Sequence, residues 1–260
     1  MDPRFKTVEV HRLKPGVSEI IEDPVTCESP ITVYFNDREL VTLLCTKEHL
    51  DELAIGFLCS EGFLKNQTDL LEIKIDVALG SARVASKQPA VIAEHTFLKR
   101  YITTGCGKGT SFYHLSDAVY RPMATDFKIT SGEIFELIVQ AQRKSELFKT
   151  TGGVHSSAVC TKNEIIYFRE DIGRHNTVDK LVGRCFLDEV DLADKILLTT
   201  GRISSEILVK VAKMNIPLIA SRSAPTDLAI EHATAMGITL VAFVRNQRMN
   251  VYTYPERVEP

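Results

Sequence analysis

Strand-like and helix-like segments alternate strictly along residues 195–244, and this alternation constrains the fold more than any other feature of the chain. The apolar patterns predict strands at 195–200, 216–221 and 238–244 and helices at 203–213 and 226–236. Strands that alternate with helices of this length form a parallel sheet that is covered by helices. The sequence therefore predicts α/β structure with parallel strands in this part of the chain.

The first part of the chain instead favours short strands. The apolar runs 31–35 and 40–44 predict a β-hairpin, and residues 72–98 predict further short strands. Between them, apolar residues recur at helical spacing after Thr46, which is suited to cap the helix, and Gly62 is placed to end it. These patterns together predict a mixed, strand-rich α+β domain.

The pattern changes near residue 125, where the second part begins. Thr130 and Glu133 have the spacing of a capping box and open a predicted helix. A hairpin over 156–168 and a helix over 176–187 follow, before the alternating segments. We therefore expect an α/β protein, α+β overall, with a strand-rich domain and then a three-layer α/β domain, bounded at 1–124 and 125–260.

Composition and charge narrow the classes of function. The chain is 44% hydrophobic with a net charge of -3, as is usual for a soluble protein. No stretch approaches the ~18 uncharged apolar residues of a membrane span, and the first residues lack the apolar core of a secretion signal. We expect a cytoplasmic protein that binds no membrane and, through its overall charge, no nucleic acid.

One of the six cysteines, Cys106, has unusual neighbours. It lies between Gly105 and Gly107, and Lys108 and Gly109 follow. Glycines let a partner approach the backbone closely, and a lysine favours the thiolate, which is the reactive form of cysteine. This setting favours a reactive thiol, although a turn that merely contains a small residue would have the same pattern.

The remaining cysteines have more ordinary surroundings. Cys45, Cys59, Cys160 and Cys185 lie among apolar residues, where a free cysteine behaves as a small hydrophobic side chain, and Cys27 stays unassigned. No pair has the C-x-x-C spacing of a metal clamp or redox couple, so no structural metal is expected.

An arginine follows each of the three predicted parallel strands. Ligands of parallel sheets bind beyond the carboxyl ends of the strands, so these positions are candidates for a binding site. Two of the loops open helices, whose N-termini favour anions, and arginine suits phosphate oxygens. A phosphorylated or nucleotide-like ligand is expected, unless the arginines are only solvated and the hydroxyls only cap helices. The candidates are Arg202, Ser204, Arg222, Ser223, Phe243, Val244, Arg245, Asn246, Gln247 and Arg248.

A second polar cluster is formed by His155 and the run 169–176, which includes Arg174 and His175. If the strands near 156 and 164 belong to the same sheet as the arginine loops, these side chains can face those loops. The alternative is that the cluster makes caps and salt bridges and that the histidines are satisfied in the core.

Several of these motifs together resemble the FdhD family, the formate dehydrogenase accessory sulfurtransferases. The resemblance covers nearly the whole chain in order. It rests on Glu52–Leu58 with Glu61–Gly62, Gly152–Ser156, Arg169–Asn176, Gly201–Ser204, Ser223–Pro225 and Asn250–Thr253.

This resemblance implies that a cysteine desulfurase loads sulfur onto Cys106 as a persulfide and that the chain, often a homodimer, delivers it to molybdenum. The acceptor would be the Mo-bis(molybdopterin guanine dinucleotide) cofactor that formate dehydrogenase requires, which GDP would mimic. It also implies a cytidine-deaminase-like fold in the second half and cofactor contacts along 243–248.

One departure from the family pattern concerns the reactive loop, which in the family frequently carries two cysteines three positions apart. Gly109 stands where the second cysteine would be. An internal thiol therefore cannot displace the sulfur from Cys106, and release would need an external reductant, another thiol or direct attack by the metal.

Two other classes of function remain to be weighed. A zinc deaminase would need the H-x-E and P-C-x-x-C signature, which this chain lacks. The alternative function is that of a non-catalytic chaperone, which binds the molybdenum cofactor without transferring sulfur.

Overall fold

The structure is a computed structural model that describes residues 2–88, 122–123 and 125–260. Its first element is a two-stranded antiparallel ribbon of β1 (Phe5–Lys14) and β2 (Val17–Thr26), which the sequence patterns do not predict. Neither strand contains a fully buried residue. The alternation of apolar and polar residues that marks a half-buried strand is therefore weak here.

A four-stranded sheet and one helix form the rest of the first part. The predicted hairpin at 31–44 is confirmed as an antiparallel pair, and the strands predicted after residue 72 are found as far as residue 88. The sheet order is β4-β3-β6-β5. The elements are β3 (Ser29–Phe35), β4 (Arg38–Cys45), α1 (Leu50–Ser60), a 3-10 turn (Gln67–Asp69), β5 (Leu70–Asp76) and β6 (Ser81–Ser86).

The start of α1 differs from the prediction. The residue before the helix is His49, whose side chain makes no capping bond, so the assignment of Thr46 as the cap is wrong. Thr46 is fully buried and bonds the Asp171 carboxylate at 3.1 Å instead. Gly62 does end the helix as predicted, because its positive φ of 83° lets its N–H turn back to the Cys59 carbonyl at 3.1 Å.

The second part begins with the predicted capping box. Thr130 Oγ1 accepts from the Glu133 N–H at 3.2 Å, and the Glu133 carboxylate accepts from the Thr130 N–H at 2.7 Å. The elements are β7 (Ile129–Thr130), α2 (Ser131–Lys144), α3 (Glu146–Thr151), β8 (His155–Cys160), β9 (Ile165–Asp171) and α4 (Arg174–Leu187). Strand β9 runs three residues past the predicted end at residue 168, so residues 169–171 lie within the strand and not after it.

The alternation at 195–244 is confirmed, with ends within one or two residues of the predicted ones. The elements are β10 (Ile196–Thr199), α5 (Ser205–Lys213), β11 (Leu218–Ser221), α6 (Asp227–Met236), β12 (Thr239–Arg245), β13 (Arg248–Val251), a 3-10 turn (Pro255–Arg257) and β14 (Val258–Glu259). Strands β10, β11 and β12 are parallel, and the six-stranded sheet has the order β13-β12-β11-β10-β8-β9.

Helices cover both faces of this sheet, which gives the second part its three predicted layers. Leu197 and Leu240 point to one face, where they pack with residues of α4, α5 and α6. Leu198 and Val241 point to the other face, where α2 lies. Each fully buried side chain of this size contributes about 1.5–3 kcal/mol to folding.

The first part packs on the second through α1 and α4. Phe186 and Leu187 of α4 contact the core between α1 and the four-stranded sheet. Gly56 and Gly183 lie where the two helices cross, with backbone so close that neither position has room for a Cβ. The two parts therefore share one buried interface.

Buried polar contacts reinforce that interface. The Lys180 ammonium lies 2.6 Å from the Asp171 carboxylate and donates to Thr46 Oγ1, and all three residues are fully buried. Arg169 Nη2 donates to the Glu52 carboxylate at 2.6 Å. Unpaired charges would be costly at this depth, so the Arg169–Glu52 pair, which joins the two parts, depends on both being in place.

Candidate functional site

The carboxyl ends of β10, β11 and β12 lie side by side, and the loops that follow them are joined by hydrogen bonds. Ser221 Oγ donates to the Gly201 carbonyl at 2.7 Å, which links the first loop to the second. The Phe243 N–H donates to the Ser223 carbonyl at 3.1 Å, which links the third. The three arginine-bearing segments are therefore brought together at one edge, called the cationic edge below and defined by residues 199–204, 221–226 and 243–248.

The first loop of the cationic edge leads into α5. Ser204 is its N-cap, and the hydroxyl accepts from the Ile207 N–H at 3.5 Å. The Ser204 hydroxyl oxygen therefore caps the helix, as expected from the interpretation in which the hydroxyls of these loops only cap helices. Arg202 is exposed to solvent and stays available for a ligand.

The second loop carries Arg222, which is half-buried. Together with Ser157, Thr199 and Thr200, it lines a small pocket of about 20 Å³ between α2 and the sheet, with room for about one water molecule. Thr226 caps α6 by accepting from the Ala229 N–H at 3.3 Å. Both loops therefore open helices, as predicted.

The third segment is a β-hairpin and not a loop that opens a helix. Phe243, Asn246 and Gln247 have positive φ angles of 55°, 52° and 56°. Val244 is fully buried in the core beneath α2, so its side chain cannot contact a ligand. The remaining candidates of the hairpin, Arg245, Asn246, Gln247 and Arg248, are exposed beyond the carboxyl ends of the parallel strands.

His155, Arg174 and His175 lie beside the first arginine loop, as the sequence predicts. The Cβ of Arg174 packs against Gly201, within 3.0 Å of where a Cβ on that glycine would be. Burial lowers the pKa of His155, and the nearby positive charges of Arg174, His175 and Arg202 lower it further. His155 is therefore neutral at pH 7.

The charged residues 169–171 do not join this site. Arg169 pairs with Glu52 and Asp171 pairs with Lys180, as described above. The Glu170 carboxylate accepts from the backbone N–H groups of Leu147 and Phe148 at 3.0 and 3.1 Å. For these three residues the interpretation as caps and salt bridges is the correct one.

Two residues of the site have no clear signal in the sequence. Ser221 holds two loops together, accepting from the Ser223 N–H at 2.9 Å besides its bond to Gly201. Glu206 places its carboxylate 3.0 Å from His175 Nε2. An acidic residue in the first turn of a helix is so common that its position alone does not indicate a site.

Four of the five described cysteines are poorly reactive. Burial raises the pKa of Cys45, Cys59, Cys160 and Cys185 to about 12. Cys27 is partly exposed. Cys106, the predicted reactive thiol, lies outside the described residues.

No cluster of three or more histidine, cysteine, aspartate or glutamate residues is placed to hold a metal ion in the part of the chain that the structure describes. Within the same residues, no helix combines the length and the apolar character needed to cross a bilayer.

Fold and site together define a three-layer α/β protein, extended by a strand-rich first part, with a cationic edge at the carboxyl ends of its parallel strands. The chain belongs to the FdhD/NarQ family, whose sequence model matches residues 26–259.

The similarity to related proteins extends over almost the whole chain. The sulfur carrier protein FdhD of Listeria innocua is 45% identical over 253 residues, which are 96% of this chain and 97% of that protein. That of Bacillus subtilis is 41% identical over 251 residues, or 96% of each chain. The crystal structure of a candidate formate dehydrogenase accessory protein from Desulfotalea psychrophila superimposes with a TM-score of 0.80, at 27% identity, over 98% of this chain and all of that chain. Membership of a family of sulfur carriers follows.

Proposed function

We propose that this chain carries sulfur as a persulfide on Cys106, from a cysteine desulfurase to a molybdenum cofactor with two guanine dinucleotides. The observation that carries the proposal is the 45% identity to a named sulfur carrier over 96% of the chain. The acceptor cofactor is cargo and is destined for a formate dehydrogenase. The similar accessory protein from Desulfotalea psychrophila, which is named for formate dehydrogenase, suggests this client enzyme.

The high pKa values of the buried thiols support the choice of Cys106 as the sulfur-carrying residue. Only a thiolate attacks a persulfide, and a thiol with a pKa of about 12 is almost wholly protonated at pH 7. Four described cysteines have such values because they are buried. The glycines and the lysine around Cys106 provide the opposite setting.

Loading is a thiol exchange. The Cys106 thiolate attacks the outer sulfur of the desulfurase persulfide, the S–S bond of that enzyme breaks, and its cysteine leaves as a thiolate. Release of the outer sulfur as sulfide needs two electrons. With glycine at position 109, two external thiols supply them and leave as a disulfide, while Cys106 regains its thiol.

The cationic edge is the proposed place for the cofactor's nucleotide parts. Arg202 and Arg245 are exposed there, Arg222 is half-buried at the same edge, and Arg174 packs against Gly201 beside it. Two helix N-termini at the same edge favour phosphate oxygens. The resemblance to the FdhD family implies a homodimer, and we propose one for this chain.

Loading is tested by incubating the purified protein with a cysteine desulfurase and cysteine, followed by intact mass measurement and peptide mapping. We expect one added sulfur, on Cys106, that is absent in Cys106→Ala. Cys27→Ala is the matched control, because Cys27 is a partly exposed cysteine in the described part of the chain. Sulfur on Cys160 or Cys185, or loading that survives Cys106→Ala, would contradict the assignment.

Cys106→Ala also separates the carrier from a cofactor-binding chaperone. A carrier loses its ability to activate apo-formate dehydrogenase when this thiol is removed, whereas a chaperone keeps it. Activation of the client enzyme by the alanine variant at the rate of the wild type would favour the chaperone.

The route of release is tested with loaded protein and the cofactor as acceptor. We expect transfer to be slow alone and faster with added thiol, and Gly109→Cys to weaken that dependence and leave a disulfide with Cys106. Transfer that is fast without thiol, and that neither added thiol nor Gly109→Cys changes, would instead indicate direct capture of the sulfur by the metal.

Cofactor binding is tested by calorimetry with GDP. Arg202→Ala and Arg245→Ala should each weaken binding at least tenfold, which is ~1.4 kcal/mol. Arg83→Ala is the control, because Arg83 stacks on Tyr34 in the four-stranded sheet, outside the cationic edge. Equal GDP affinity in all three variants would remove the argument for this site.

A further inference from the structure

The β1-β2 ribbon ends at Thr26, the residue at which the match of the family model begins. Its base is fixed to the rest of the protein, because Thr26 Oγ1 donates to Thr151 Oγ1 at 2.7 Å and the Arg4 guanidinium lies 3.3 Å from the Glu48 carboxylate. The far end reaches into solvent, where Leu13 is 74% exposed. A ribbon of two strands is marginally stable in water unless a further surface covers it. The ribbon is therefore a candidate for a contact surface.

The register of the two strands assigns their side chains to two faces. Residues directly opposite each other in an antiparallel pair share a face, and successive residues of a strand alternate between the faces. Val10 is opposite Ile21, and their face is called the valine face below. It consists of Lys6, Val8, Val10, Arg12 and Lys14 of β1 and of Val17, Glu19, Ile21, Asp23 and Val25 of β2.

The apolar side chains of the valine face are accessible to solvent. Val8, Val10, Ile21 and Val25 are half-buried, and Val17 is 55% exposed. None of them belongs to a hydrophobic core of the part of the chain that the structure describes. A second surface stacked on this face would remove all five from water, which favours association.

The charged residues of the valine face are sorted by strand. On this face β1 contributes Lys6, Arg12 and Lys14, whereas β2 contributes Glu19 and Asp23. Arg12 lies 3.5 Å from Asp23 and Lys14 lies 3.3 Å from Glu19, but these four side chains stay 41% to 63% exposed. Exposed pairs of this kind contribute little to stability and leave their charges accessible to a second surface. The valine face therefore has one basic edge and one acidic edge, with apolar side chains between them.

The opposite face of the ribbon is less suited to contact with a second copy. Glu9 is directly opposite Glu22 on that face, and like charges in this position repel each other. Stacking two copies there would bring the carboxylates of both residues from both copies together. Leu13 and Ile20 on that face are 74% and 60% exposed, so its apolar side chains are the more accessible ones. The arrangement of charge nevertheless favours the valine face.

We propose that the valine face is the contact surface of a homodimer in which the ribbons of two copies stack face to face. A two-fold axis along the ribbons places β1 of each copy over β2 of its partner. The basic edge of one copy then lies on the acidic edge of the other, and the apolar side chains meet between them. An axis across the ribbons would instead place like charges over each other. This interface rests on the homodimer proposed above and is independent of Cys106 and of sulfur transfer.

Charge reversal tests the stacking. Glu19→Lys with Asp23→Lys makes the charges of the valine face all basic, and Lys6→Glu with Arg12→Glu and Lys14→Glu makes them all acidic. We expect a dimeric wild type, and we expect each full-length variant alone to dimerise at least tenfold more weakly, because like charges then face each other. An equimolar mixture of the two variants should form a heterodimer. Analytical ultracentrifugation measures all four samples.

Glu9→Lys with Glu22→Lys is the matched control for the basic variant, since it makes the same change of charge on the opposite face of the same ribbon. This control should remain dimeric. Equal dissociation of the control and the basic variant, or a mixture that stays monomeric beside a dimeric wild type, would overturn the proposal. A dimer that every variant retains would overturn the valine face alone, whereas a monomeric wild type would also overturn the homodimer.

The apolar part of the valine face gives a second readout that involves no change of charge. Ile21→Ser should weaken the dimer at least tenfold, and Ile20→Ser is its matched control, because the neighbouring residue of the strand lies on the opposite face. Raising the ionic strength from about 0.05 M to about 0.5 M should weaken the wild-type dimer by screening its edges. An Ile21→Ser protein that dimerises as strongly as the wild type, or a dimer that salt does not weaken, would overturn the proposal.

Discussion

Gly56 and Gly183 lie against each other where α1 crosses α4, and each leaves space that the other helix fills with backbone. A Cβ on Gly56 would be 1.7 Å from the Asp179 carbonyl oxygen and 2.8 Å from the Gly183 nitrogen. A Cβ on Gly183 would be 1.9 Å from the Glu52 carbonyl oxygen. Because backbone atoms occupy both positions, no side-chain rotation can relieve the overlap.

Gly183→Ala should therefore destabilise the protein by about 3 kcal/mol or more, since the two helices must move apart to make room for the methyl group. Gly132→Ala in α2 is the matched control, because the nearest atom to its added Cβ is 3.9 Å away. That control should be neutral or stabilising by up to about 1 kcal/mol. Urea denaturation measures both, and a Gly183→Ala protein as stable as the wild type would contradict the packing described.

Removal of the buried ammonium at Lys180 is expected to be equally costly. Lys180→Met leaves the Asp171 carboxylate buried without its counter-ion and should cost about 3–5 kcal/mol. The double variant Lys180→Met with Asp171→Leu should recover part of the loss, because no buried charge remains. Lys74→Met, which breaks the exposed pair with Glu72, should cost less than about 1 kcal/mol. Similar losses in the two lysine variants would argue against a buried pair.

The bond between Ser221 and Gly201 predicts a link between stability and the cationic edge. Ser221→Ala leaves a buried carbonyl oxygen without its donor and should cost about 1–3 kcal/mol, with weaker GDP binding because two of the loops lose their connection. Thr42→Val is the control, since it removes a hydroxyl whose bond to Thr32 is exposed. Unfolding and calorimetry measure the two effects. Unchanged GDP binding in a destabilised Ser221→Ala protein would separate the loop connection from the ligand.

The lowered pKa of His155 predicts how anion binding depends on pH. A bound anion offsets the positive charges around His155 and raises its pKa, so the complex takes up a proton below the usual histidine value of 6.5. When the pH is lowered from 7.5 to 6, the affinity for GDP should therefore rise about threefold more in the wild type than in His155→Gln. Titration in buffers of different ionisation enthalpy measures the proton uptake. His11→Gln on β1 should behave as the wild type, and proton uptake that persists in His155→Gln would exclude this histidine.

Much of the fold of this chain can be predicted from local sequence patterns. The alternation at 195–244, the capping box at Thr130 and the hairpins follow from spacing within a few residues, and the structure has them all. The β1-β2 ribbon buries no face, so no alternation marks it. The roles of Thr46, Arg169 and Asp171 depend on partners more than 100 positions away, which no local pattern reveals.

The site is likewise predictable in place but not in detail. Parallel strands end at a common edge, so the meeting of the three arginine segments follows from the strand order. Whether a given side chain is available at that edge depends on local geometry. Ser204 is used as a cap, and Val244 turns into the core beside the positive φ of Phe243, an angle that a non-glycine residue rarely adopts.

The long-range buried contacts between the two parts have a consequence for synthesis on the ribosome. Glu52 and Thr46 meet their partners 117 and 125 positions later in the chain. When the first sheet and α1 leave the exit tunnel, the groups that neutralise their buried face have not yet been translated. The first part cannot complete its packing until α4 has emerged, so its apolar helix face is open to chaperones for the several seconds that translation of those residues takes.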